Sequence, residues 1–116
     1  MHVFSYSRCS TCRKALAWLA EQGIDYQLHD IISEPPSRLQ LSEALLFFGD
    51  RKPLFNTSGQ SYRSIGSATI RAMGDEEVLD ALAADGKLIK RPFLQLANGS
   101  FLVGFKPEVW EKNLLN

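Results

Sequence analysis

The sequence predicts an α/β fold in a single domain spanning residues 1–116, and three observations carry that prediction. At the N-terminus a β-branched and aromatic run, a helical pattern and a second apolar run follow one another within about thirty residues, the signature of a βαβ unit. Near the C-terminus two further apolar runs flank Asn98-Gly99, a strong hairpin signal, and a helix start follows them. The stretch between these halves carries helical periodicity and turn residues.

Composition sets the outer limits. The chain has 116 residues, 45% hydrophobic and 22% charged, which suits a globular domain with a real core. Its 13 basic and 13 acidic residues cancel, so neither direct nucleic acid binding nor attraction to an anionic membrane is expected. No apolar run approaches the roughly 20 residues a membrane-spanning helix requires. Met1 leads almost directly into the first strand, without the basic and apolar regions of a leader. Two cysteines are too few for a disulfide-stapled secreted scaffold. A cytoplasmic monomer is the expectation.

Taken in order, His2 to Ser5 reads as a strand from its β-branched and aromatic content. Cys12, Leu16, Leu19 and Gly23 then fall at helical spacing, and Gln22-Gly23 reads as the stop. Ile24 to Leu28 suggests the second strand, followed by Asp30, Ile31 and Ile32. Ser33-Glu34-Pro35-Pro36 breaks the chain, and Ser37 is placed to cap a helix whose apolar face is Leu41, Ala44, Leu45 and Phe48. Arg51 to Ser61 reads as a loop, with helices over Ser67 to Met73 and Glu76 to Ala84 and a stop at Asp85-Gly86. The stretch of about 34–89 is too long for a simple crossover and reads as a helical insertion. Phe93 to Leu96 and Phe101 to Val103 are the hairpin strands, and Pro107 opens a last helix through Trp110.

Chemistry concentrates at Cys9-Ser10-Thr11-Cys12, where a strand turns into a helix. A thiol there meets unpaired backbone N–H groups and the positive end of the helix dipole, and both favour the nucleophilic thiolate. Cys9, on the loop side, reads as the nucleophile, and Cys12, one turn in, as the resolving thiol. Two blander readings stay open: a buried structural pair, or half of a metal site for which only His2 and His29 offer nitrogen ligands. The strand–helix context favours redox chemistry with no metal. His2 and His29 show no partner, and Trp18 and Trp110 read as packing residues.

Several landmarks along nearly the whole chain resemble one family. They are Cys9 to Ala15, Ser33-Glu34-Pro35, Asn56-Thr57 ahead of Tyr62-Arg63, Lys90-Arg91-Pro92 and Gly104-Phe105. Together they resemble the ArsC/Spx family, which includes glutaredoxin-coupled arsenate reductases and the Spx/MgsR regulators that bind RNA polymerase. The resemblance implies a thioredoxin-like fold with a helical insertion, and a cis-proline at Pro92 facing the thiols. In the arsenate reductases a nucleophilic cysteine works with three basic anchors for the oxyanion. Cys9 matches the nucleophile and Arg91 one anchor; Lys106 matches a second as a lysine for arginine, and the third aligns near the uncharged Asn56. Arg13, in the first helical turn, is a further candidate for stabilising a thiolate or an anion. Cys12 resembles the Spx-type members, where the pair forms a disulfide switch.

Two functions of different class follow as expectations. One is an arsenate reductase-like thiol oxidoreductase that binds no cofactor and draws electrons from glutathione and glutaredoxin or from thioredoxin, its partner a small thiol or a thiol-redox protein. The other is an Spx/MgsR-like redox sensor that binds RNA polymerase.

Overall fold

The structure, a computed structural model, describes residues 1–115. A four-stranded sheet in the order β2-β1-β3-β4 organises the chain. Strand β1 (His2–Ser5) runs parallel to β2 (Gln27–Asp30) and antiparallel to β3 (Phe93–Gln95), which pairs antiparallel with β4 (Phe101–Val103). Helix α1 (Ser10–Glu21) makes the β1–β2 crossover, and α6 (Pro107–Leu114) follows the hairpin. Between β2 and β3 lie α2 (Arg38–Phe48), α3 (Gln60–Ile65), α4 (Ser67–Ala72) and α5 (Asp75–Ala84), with single 3-10 turns at Lys52–Leu54 and Gly86–Leu88. This is the thioredoxin-like arrangement expected above.

Because side chains alternate along a strand, each sheet face builds its own core. Phe4, Phe93 and Phe101 face the helices of the central segment and pack with Leu41, Ala44, Val78 and Leu82. Val3, Leu94 and Leu102 face the other way, onto Ala15 and Leu19 of α1 and Trp110 of α6. The histidines, without an evident partner in the sequence, find one another across the β1–β2 edge: His2 Nδ1 lies 2.9 Å from His29 Nε2.

Several boundaries differ from the sequence reading. Helix α1 ends in a Schellman motif: Gly23 has φ +66°, its N–H bonds Ala20 O at 3.2 Å, and the Ile24 N–H bonds Leu19 O at 3.1 Å. Ile24 is thereby used in the cap, so β2 starts at Gln27 and not at Ile24. The expected loop from Arg51 to Ser61 holds the first 3-10 turn and the first residues of α3. Helix α3 has Gly59 at its N-cap with no side-chain bond and no buried residue, so neither a cap nor an apolar stripe announces it. Helix α6 runs four residues past Trp110, to Leu114. Ser37 does cap α2, in a full capping box with Gln40.

One close approach locks the central segment onto the sheet. A Cβ at Gly86 would stand 1.8 Å from the Ile31 carbonyl oxygen, at the end of β2. Gly86→Ala must therefore move backbone, and we expect it to lower stability at the upper end of the about 1–3 kcal/mol that overpacking costs, measured by urea unfolding.

Candidate functional site

Cys9 is the N-cap of α1, in an extended conformation (φ −95°, ψ 116°) reached through the short turn of Tyr6 to Arg8 after β1. Its N–H bonds Tyr6 O at 3.0 Å, its carbonyl accepts from Arg13 N at 3.1 Å, and its sulfur accepts from Cys12 N at 3.4 Å. No acidic side chain occupies the first turn of this helix. The sulfur is thus the group left to meet the orphan N–H and the dipole, a position that favours negative charge.

The two thiols have opposite environments. Partial burial works to raise the Cys9 pKa, but hydrogen bonding with the Cys12 side chain and backbone, together with the Arg91 guanidinium, outweighs it and leaves Cys9 below the ordinary thiol value. Cys12 is fully buried, and burial pushes its thiol up to about 11 despite hydrogen bonds with Tyr6 and Ser5. The pair is therefore asymmetric: the thiolate is favoured at Cys9 and disfavoured at Cys12 relative to an ordinary thiol.

Cys9 opens onto a cavity of about 400 Å³ whose wall includes Asn56, Lys90, Arg91, Phe105 and Lys106. The scaffold brings these residues in from separate segments through backbone hydrogen bonds. A Phe55–Ile89 bridge, with Asn56 N to Leu88 O at 2.9 Å and Lys90 N to Leu54 O at 2.8 Å, sets Asn56 against Lys90 and Arg91. The Arg91–Pro92 peptide is cis, and Pro92 O accepts from Gly104 N at 2.9 Å. Gly104 has φ +68°, a conformation suited to glycine, and its carbonyl accepts from the buried Trp110 Nε1 at 3.1 Å. Lys106 then supplies the N-cap position of α6.

Of the residues singled out in the sequence, Cys9, Asn56, Arg91 and Lys106 line this cavity together. Arg13 does not: its Nη1 donates to Ser7 O at 2.9 Å, which ties the loop before the thiols and takes the guanidinium out of the cavity. Asn56 is oriented by its own loop, with its Oδ1 accepting from Ser58 Oγ at 3.2 Å. Arg91 sits 5.2 Å from the centroid of the Tyr6 ring, and its Nε is buried without a hydrogen-bond partner in the protein. Sequence reasoning gave no role to Lys90, Tyr6 or Phe105. Lys90 and Phe105 had a signal, as members of the Lys90-Arg91-Pro92 and Gly104-Phe105 landmarks; Tyr6 read only as an aromatic at the end of the first strand. Among the described residues there is no cluster of His, Cys, Asp and Glu able to hold a metal, and no helix long and apolar enough to cross a membrane.

The ArsC family model matches residues 4–113. The chain belongs to the ArsC family. Within it, YusI of Bacillus subtilis is 41% identical over 110 residues, covering 93% of this chain and 92% of YusI. A solved structure from Streptococcus mutans, named a possible arsenate reductase, superposes with a TM-score of 0.84 at 38% identity and 90% coverage of both chains. The global transcriptional regulator Spx of Streptococcus pyogenes is 28% identical over 93 residues, covering 79% of this chain and 69% of Spx. The chain is thus similar both to a protein named a possible arsenate reductase and to one named a transcriptional regulator.

The lowered Cys9 pKa makes its reactivity pH-dependent with a definite sign. The thiolate fraction rises with pH, so alkylation by iodoacetamide should reach half its limiting rate at a lower pH than that of an ordinary cysteine thiol. Removing the guanidinium in Arg91→Met should move that midpoint upward. Mass spectrometry of the alkylated peptides checks both shifts and separates Cys9 from Cys12.

Proposed function

We propose that this ArsC-family protein is a cytoplasmic thiol–disulfide oxidoreductase in which Cys9 is the nucleophile and Cys12 the resolving thiol. The observation that carries the reading is the asymmetry of the pair: an N-cap sulfur with a lowered pKa, facing a cationic cavity, above a buried thiol raised to about 11. The Cys9 thiolate attacks one sulfur of a disulfide, forms a mixed disulfide and expels the other half as a thiolate. Cys12 then gives up its proton and attacks Cys9 Sγ, closing the Cys9–Cys12 disulfide and expelling the second half. The substrate gains two electrons and the protein dithiol loses two. Glutathione with glutaredoxin, or thioredoxin, would return the protein to the dithiol.

Arsenate is a poorer fit than a disulfide. The cavity offers the cations Lys90, Arg91 and Lys106 beside the neutral Asn56, and of these only Arg91 has the fork geometry that holds an oxyanion bidentately.

Mutation of the two cysteines tests the assignment. Cys9→Ser should abolish reaction with a disulfide, and Cys12→Ser should arrest at a mixed disulfide on Cys9, seen as a mass adduct of one substrate half. Full activity in both variants would overturn the reading.

A second reading has its own support. Similarity to Spx is joined by a solvent-facing apolar set on α2, where Leu39, Leu46 and Phe47 are 68%, 82% and 51% exposed. Such a face suits a protein partner, and the same dithiol would then act as a sensor that alters binding to RNA polymerase. Redox-dependent retention of RNA polymerase by the protein, with no disulfide turnover, would decide for that reading.

A further inference from the structure

We propose that Lys90, together with Lys106, selects negatively charged substrates at this site, so that the dithiol acts preferentially on small disulfides bearing carboxylates near the sulfur. The inference rests on the thiol–disulfide reading above and assigns its substrate class.

The cations of the cavity divide into two kinds. Arg91 is already engaged: it packs on Tyr6, reaches Lys87 O through Nη1 at 3.4 Å and stabilises the Cys9 thiolate. Lys90 and Lys106 have no such duty. Neither side chain makes a hydrogen bond or ion pair among the described residues, and both are exposed at the cavity wall. They come together at Gly104. The Lys90 stem crosses that residue so closely that a Cβ there would lie 3.2 Å from Lys90 Cε, and Lys106 follows two residues on.

No acidic side chain lines the cavity to offset these charges. An anionic guest therefore enters a field of one sign, where low-dielectric walls strengthen attraction. The volume of about 400 Å³ suits a small molecule, and Phe105 supplies an apolar wall for the carbon chain beside a disulfide. Two ammonium groups on flexible stems act as separate point charges and match separate carboxylates better than one compact oxyanion. The electron flow is that of the exchange above: an anionic disulfide is reduced to two thiols as Cys9 and Cys12 become a disulfide.

Three small disulfides of similar length and different charge test this: 3,3′-dithiodipropionate (anionic), bis(2-hydroxyethyl) disulfide (neutral) and cystamine (cationic). The rate constant for oxidation of the reduced protein should fall in that order, and added salt should narrow the spread. In Lys90→Met the ratio of the anionic to the neutral rate should drop about fivefold, the upper range for an exposed charge pair. Lys90→Arg should restore it, and Lys112→Met, which removes a lysine of α6 outside the cavity, should leave it unchanged. Arg91→Met should slow all three, because it acts through the Cys9 thiolate. Equal rates with the three disulfides, or an unchanged ratio in Lys90→Met, would overturn the charge selection while leaving the thiol–disulfide reading standing. If none of the three oxidises the protein, that reading falls and this inference with it.

Discussion

The hydrogen bond from the Cys12 backbone N–H to the Cys9 sulfur is the contact on which the rest of the site depends. It exists because the short turn after β1, closed by the Cys9 N–H on the Tyr6 carbonyl, leaves Cys9 at the N-cap of α1. In most helices a serine, threonine or aspartate does this work. Here a thiol does, and the stabilisation that would elsewhere go to helix formation acts instead on the ionisation of a reactive group. The cost is a helix without a strong oxygen cap. It is offset by the burial of Ala15 and Leu19 against Val3 and Leu94 and by the Schellman motif at the far end.

The division between the two sheet faces serves that junction. The face carrying α1 and α6 holds the helix whose N-terminus bears the thiols, and Trp110 of α6 reaches from this core to the Gly104 carbonyl. The opposite face holds the central helical segment, which returns to the site through the Phe55–Ile89 bridge. Each core thus delivers one side of the cavity. Cys12 has no access to solvent, which is why burial dominates its ionisation while a half-buried Cys9 responds to its neighbours.

What could be read from the sequence is what local physics specifies. The strand–thiol–helix junction, the Ser37 cap and the Asn98-Gly99 turn all follow from short-range residue chemistry, and the structure holds them where the pattern puts them. The start of β2 was misplaced because Ile24 looks the same in a strand as in a Schellman cap, and only the positive φ of Gly23 distinguishes them. Helix α3 is not legible because it is short, has a glycine cap and buries no residue fully, Tyr62 and Ile65 packing only partly against the core. At the site, Arg13 is a weaker candidate than Arg91, offered because a charge beside the thiols in sequence suggests a charge beside them in space. A carbonyl at Ser7, two residues before Cys9, takes it away. Lys90 went unassigned for the converse reason: its place depends on a crossing with Gly104, which is remote in sequence and has no side chain to advertise the contact.

The backbone anchoring of the cavity wall has a consequence for how such a site can diverge. Positions 56, 90 and 104 are held by main-chain hydrogen bonds to Leu88, Leu54 and Pro92, and position 106 by the start of α6. The side chains of Asn56, Lys90 and Lys106 consequently carry little of the fold. Exchanging one of them alters what the cavity attracts without disturbing the thiols, and exchanging several can proceed one at a time through folded intermediates. On the thiol–disulfide reading, guest preference and bond chemistry are therefore separately adjustable traits in this scaffold. Related chains can keep the same reactive sulfur while drifting from one class of guest to another.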